Sequence, residues 1–126
     1  MPASGFWRSG DVFFGKRVHL ENIKTGLTAT AGGGQTSALA LTATVNVVST
    51  VASAGDSVKL PVAYKGAEIL IKNTAASNSM DVFPQTGGTI DGGSANAAKA
   101  QEAGTGRRFI CVAVAASTGY ATWVTF

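Results

Sequence analysis

Leu39-Ala40-Leu41-Thr42-Ala43-Thr44-Val45-Asn46-Val47-Val48-Ser49-Thr50-Val51 decides the fold. Its odd positions read Leu39, Leu41, Ala43, Val45, Val47, Ser49 and Val51, while the even positions are mostly polar or small. Side chains on an extended backbone alternate between two faces, so an apolar residue at every second position marks a half-buried strand. Branched Val and Thr also fit a pleated surface. The odd residues are therefore expected to face the core. The run is long enough to hold a bend or a second strand.

The same grammar continues downstream. Ala54-Gly55-Asp56 is a turn signal, and Ser57–Pro61 alternates until Pro61, which has no N–H for a sheet ladder. Glu68–Lys72 is a short apolar strand with charged ends, followed by a polar loop over Asn73–Ser79. Met80–Pro84 is another strand closed by proline. Gln85–Gly88 and Asp91–Gly93 are turns around a brief extended Thr89–Ile90. Ala95–Ala103 is rich in helix formers yet also alternates, so it reads as a helical turn or a strand. Arg107–Val114 is apolar on both faces after its arginines, as expected of a central strand covered on both sides. Ser117-Thr118-Gly119 turns the chain into a last strand, Tyr120–Phe126. About eight short strands with regular turn signals indicate an all-β chain: a single β-sandwich, jelly-roll-like, or a barrel. No internal repeat is evident.

Upstream, Gly32-Gly33-Gly34 punctuates the chain. It divides an extended N-terminal arm or linker, residues 1–31, from a β-sandwich domain, residues 32–126. Met1–Lys24 carries Phe6, Trp7, Phe13 and Phe14, together with Arg8, Lys16, Arg17 and Lys24, and the next aromatic is Tyr64. Aromatics and arginine are the residues most enriched in interface cores. So short a segment cannot bury those rings in itself. It either covers an edge of its own domain or reaches a neighbouring subunit. Phe6, Trp7, Arg8, Phe13, Phe14, Lys16 and Arg17 are the candidate binding residues.

Composition narrows the function. The 126 residues suffice for one modest core. Only 13% are charged, about half the usual quarter. Alanine, glycine, threonine and serine fill the gap, which suits a protein packed against neighbours. A single Cys111 excludes a disulfide framework and a multi-thiolate metal site. A lone His19 removes most nucleophile–base pairs; it is read as a surface or interface residue. The net charge of +3 is scattered, so no nucleic-acid partner is expected. The longest apolar run, Phe109–Ala116, is too short to cross a bilayer, and no secretory signal is visible. Synthesis in a cytoplasm without a membrane partner is the expectation.

Chemical motifs fail on inspection. Gly32–Ser37 lacks the Gly-Lys-Ser/Thr ending of a phosphate loop. Gly104-Thr105-Gly106 lacks the third glycine of a dinucleotide fingerprint. Asp81 and Asp91 are imaginable as a glycosidase pair, but one sits in a strand pattern and the other in a glycine-rich turn. Asp91, Ser94 and Asn96 offer too few carboxylates for calcium. Cys111 reads as a small buried hydrophobe, and Arg107 and Arg108 as flanks of a strand. Tyr64, Tyr120 and Trp123 are candidates for stacking on a sugar, although Trp123 reads first as core. No catalytic residue, metal or cofactor is expected.

Three stretches carry a resemblance. They are Gly33–Ala38 leading to Leu41-Thr42-Ala43, Ala54-Gly55-Asp56-Ser57-Val58-Lys59-Leu60-Pro61, and Ile71–Ala76 followed by Val82-Phe83-Pro84 and Gly87–Asp91. Over roughly residues 32–126 the chain resembles small virion proteins of tailed bacteriophages. The resemblance implies a capsid decoration (cement) protein on the outer surface of the head, where it would bind the major capsid protein at capsomer junctions. It implies a homo-oligomer, with a trimer preferred to a dimer. A tail, fibre or baseplate protein and a carbohydrate-binding β-module are the alternatives. The arm lies outside the resemblance, so its adhesive role rests on its own residues.

Overall fold

The computed structural model describes residues 22–126. Those residues form ten strands and no helix. The strands are β1 (Ile23–Thr28), β2 (Leu39–Ala40), β3 (Val45–Thr50), β4 (Ser57–Lys59) and β5 (Glu68–Asn73). They continue as β6 (Met80–Phe83), β7 (Thr89–Ile90), β8 (Lys99–Gln101), β9 (Gly106–Val114) and β10 (Ala121–Thr125). A large sheet has the order β1-β3-β5-β9-β10-β7, and a small one β2-β4-β6-β8. The all-β reading holds.

The topology is wound. From β1 to β6 the chain changes sheet after every strand. β1, β3 and β5 pair in parallel, and so do β2, β4 and β6. Ile23 lies beside Val45, and Val45 beside Leu70, so the chain passes the same place three times. A jelly-roll pairs its strands antiparallel. Here, apart from a single antiparallel bridge between Thr30 and Ser57, antiparallel pairing enters with β8 and β9, which close β6 and β5, and with β10 on β9. The turns explain the difference: they carry the chain across to the other sheet instead of folding it back on itself. At Ala54-Gly55-Asp56 the Gly55 φ is 90°, and the buried Asp56 carboxylate accepts the Ser53 amide at 3.1 Å. The chain thereby leaves β3 in one sheet and enters β4 in the other.

Two expectations change in detail, and one open alternative resolves. In β3 the buried residues are Asn46 and Val48, while Val45 and Val47 are half-exposed. Upstream, Leu41 and Ala43 are buried as read. The phase slips at a bend over Ala43–Thr44, which the Asn46 side chain holds by donating to the Ala43 carbonyl at 2.9 Å. Ala95–Ala103 contains no helix. It supplies β8, whose Gln101 is drawn inside to donate to the Ile71 and Thr105 carbonyls, each at 2.9 Å. β9 is buried on one face only: Phe109 and Cys111 point in, while Val112 is 41% exposed.

Residues 23–28, placed with the arm by sequence, are an edge strand of the large sheet, and Ala29 after them joins the core. Gly32, Gly33 and Gly34 all have positive φ, as a sharp break between β1 and β2 requires. Phe6, Trp7, Arg8, Phe13, Phe14, Lys16 and Arg17 lie outside the described residues.

Val48, Ile71, Phe109 and Trp123 from the large sheet meet Leu41, Val58, Leu60, Met80 and Val82 from the small-sheet side. One end of this core is tied by side-chain amides. Asn73 donates to the Asn78 and Gln101 carbonyls, both at 3.1 Å, and accepts the Ala75 amide at 3.0 Å. Asn78 donates to the Val51 and Ala52 carbonyls. Replacing Asn73 by alanine strands buried polar groups, and each costs about 1–3 kcal/mol. Asn73→Ala should therefore destabilise the fold by about 2–4 kcal/mol in denaturant unfolding. A loss below about 0.5 kcal/mol would show that the tie is dispensable.

Candidate functional site

The loop Pro61–Gly66 joins β4 to β5 at one end of the body. Its tip is a tight turn in which the Ala67 amide donates to the Tyr64 carbonyl at 2.9 Å. Gly66, at the third position of that turn, has a φ of 93°, the conformation that favours glycine there. Its amide donates to the Cys111 carbonyl at 2.7 Å, and the Cys111 amide returns a bond to Ala67. The turn is thus stitched to β9, and Tyr64 (73% exposed) at its start and Val62 (84%) two residues earlier face solvent.

Beside these two side chains lies a hollow of about 460 Å³, bordered by Asn22, Thr42, Thr44, Pro61, Tyr64 and Glu68. The Asn22 carbonyl accepts the Thr44 and Val45 amides at 3.2 and 3.1 Å. The point where the N-terminal segment joins the body is therefore pinned next to the exposed loop. The sequence reading separates these features; the fold brings them to one place.

A second surface lies on the outer face of the large sheet. Ile23, Val45, Leu70 and Arg108 are cross-strand neighbours, and Arg108 exchanges backbone hydrogen bonds with Phe126. Ile23 and Phe126 are more than half exposed. The Arg108 guanidinium lies 5.4 Å from the centre of the Phe126 ring and 3.3 Å from the Glu68 carboxylate. The first is a cation–π contact. The second is a surface ion pair of small worth.

The remaining candidates scatter. Trp123 is fully buried, so it cannot stack on a sugar. Tyr120 is half-exposed and lies over Gly87, where a Cβ would come within 2.4 Å of its ring. Asp81 sits on β6, and Asp91 follows β7 at a positive φ of 53°. Asp91 accepts the Thr125 amide at 2.8 Å and the Thr125 hydroxyl, and pairs with Lys99 at 3.1 Å. It ties β10 to β8 rather than serving an acid–base pair. The Asn96 side chain accepts the Gly87 amide at 2.7 Å, so its oxygen serves a turn. Cys111 is buried, as read, and burial raises its thiol pKa. Arg107 reaches from β9 to the Ala100 carbonyl of the small sheet at 2.8 Å. No cluster of three or more His, Cys, Asp or Glu residues occurs among the described residues.

Val62, Ile23, Leu70 and Phe126 escaped the sequence reading. Pro61-Val62-Ala63 carries no turn or binding signal of its own, and nothing local marks which face of a strand stays bare. Comparison with known protein families, characterised proteins and solved structures finds no match to this chain.

Asp91 gives a pH test. Burial opposes its ionisation, but the hydrogen bonds from Thr125 and the charge of Lys99 outweigh that and lower its pKa. Its stabilising share is complete above the unfolded value of about 3.9 and is lost as pH falls through the lower folded value. Asp91→Asn should flatten the acid limb of the stability profile below about pH 4, relative to the parent. Superimposable acid limbs in the two proteins would deny Asp91 that role.

Proposed function

We propose that this protein is a structural virion protein of a tailed phage, a capsid decoration (cement) protein that binds the major capsid protein on the outer surface of the head. The observation that carries the reading is a convergence: the exposed Val62–Tyr64 stretch and the junction of the aromatic N-terminal segment at Asn22 share one end of the body. The low charge, the small-residue β body and the resemblance of residues 32–126 support it.

The mechanism is additive contact. A cement protein resists capsid expansion and internal pressure by spanning a seam, because separating the subunits would re-expose buried apolar surface. A fixed aromatic at the centre of a contact loses little conformational freedom on binding. A tethered second contact, through Phe6, Trp7 and Arg8, then acts at high effective concentration. A homo-oligomer, a trimer before a dimer, multiplies both contacts around a local symmetry axis. The described residues contain no helix long and apolar enough to cross a membrane.

Removal of residues 1–21 leaves Asn22 and β1 in place, so the body should still fold. On purified heads that truncation, and separately Tyr64→Ala, should each weaken binding about tenfold or more, the effect of losing an interface anchor of about 1.4 kcal/mol or above. Full occupancy by both folded variants would reject the convergent end as the anchor. Labelled protein found only on tails would reject the decoration role itself.

A further inference from the structure

We propose that the hollow beside Tyr64 binds a neutral saccharide, with the Tyr64 ring as the platform on which a sugar ring stacks. The hollow measures about 460 Å³, inside the range of about 300–1,000 Å³ found for small-molecule sites. Ala43 and Ala67 are buried beneath it, and Asn22, Thr42, Thr44 and Glu68 stand around it. Tyr64 is mostly exposed, and the turn that carries it is bonded to β9 through Gly66 and Ala67. On the opposite side Asn22 is held by the Thr44 and Val45 amides. Of the three aromatics read in the sequence as sugar platforms, Trp123 is buried and Tyr120 lies against Gly87. Tyr64 is the one that borders this hollow.

The ligand class follows from what the lining offers and what it lacks. No Lys, Arg or His borders the hollow among the described residues. A phosphate, a nucleotide or an acidic peptide would find no counter-charge there, and Glu68 would repel it. A purely apolar ligand would strip water from the Thr42 and Thr44 hydroxyls and the Asn22 amide without replacing those hydrogen bonds. A quaternary amine is held best by several rings or an open carboxylate. Tyr64 is the one aromatic side chain in the lining among the described residues, and Glu68 is already paired with Arg108 at 3.3 Å. What fits is an uncharged molecule with one apolar face and a rim of hydroxyls. A pyranose has that form: its C–H face lies on an aromatic ring while its hydroxyls exchange hydrogen bonds at the edge. Threonine hydroxyls and the asparagine amide both donate and accept, and a carboxylate accepts. The site goes beyond the proposed role on the phage head and does not rest on it. One Tyr64 ring cannot seat on a head and on a sugar at once, so the two readings are tested apart.

The experiment uses the full chain without heads. Labelled protein is screened on an array of neutral, sialylated and uronate-bearing oligosaccharides, and the best neutral glycan is titrated by calorimetry. Neutral glycans should bind with dissociation constants of about 0.01–1 mM, as so small a contact allows. Tyr64→Ala should weaken binding about tenfold or more, and Tyr64→Phe, which keeps the ring, should stay within about threefold. The side chain is exposed and the turn uses only the Tyr64 backbone carbonyl, so both variants keep the fold. Thr42→Val combined with Thr44→Val should also cost about tenfold, through lost hydrogen bonds. A double threonine variant that loses the sugar and still decorates heads supports the site and leaves the head role standing independently. Absence of any neutral glycan binding by the parent at about 10 mM overturns the proposal. Full retention of binding by Tyr64→Ala or by the folded double threonine variant overturns it as well. So does a preference for sialylated glycans or for tetramethylammonium over neutral sugars.

Discussion

The amide side chains at one end of the core, Asn73, Asn78 and Gln101, set the condition on which the winding depends. A chain that changes sheet after each strand must repeatedly leave the hydrogen-bonding ladder between two apolar layers. The backbone groups at those crossings are buried, and an unmet buried carbonyl or amide costs about as much as a strong interaction contributes. Asn73 answers three such groups at once, and Gln101 reaches into the opposite sheet to satisfy Ile71. Short carboxamides can donate and accept without carrying charge, so they fit where Asp or Lys would need a partner. These ties meet buried backbone groups where the chain passes between the two parallel-paired sheets.

The winding in turn decides what the surface offers. Each passage of the chain lays its strands side by side, so residues distant in sequence form straight rows on the outer face. Ile23, Leu70 and Phe126 fall on one row in this way, with Val45 and Arg108 between them. The same winding sends the β4–β5 loop to the end where the N-terminal segment joins. The exposed loop and the junction at Asn22 thus gather at a single end of the body. The large sheet also has β1 at its edge, and Gly26 with register shifts between Lys24 and Thr28 interrupts that edge. Such irregularity discourages uncontrolled pairing between chains.

Much of the element list was legible in the sequence. The strands at Ser57–Lys59, Glu68–Asn73, Met80–Phe83 and Gly106–Val114 fall where alternation, proline and glycine put them. What escaped were features set by distant partners. The inward turn of Asn46 depends on a bend held by its own side chain, and local hydropathy assigns that position to solvent. Gln101 is buried because Ile71 and Thr105 present carbonyls there. Parallel pairing was invisible because a turn signal marks where a chain bends and says nothing of the sheet it enters next. The contact surfaces were half legible: Tyr64 was singled out, but its neighbour Val62 and the proximity of Asn22 needed the fold. The candidate binding residues from Phe6 to Arg17 lie outside the described residues and rest on sequence alone.

The wound order also has a consequence for synthesis. β5 finds its second neighbour only in β9, and β6 finds its own only in β8. Two of the largest core side chains, Phe109 and Trp123, come late in the chain. A nascent polypeptide that has emerged as far as β6 therefore holds two open sheets with an unfilled interior. Non-local pairings of this kind slow folding, and transiently exposed strand edges invite association with other chains. The two sheets of the body thus stay open until β8, β9 and β10 have been made.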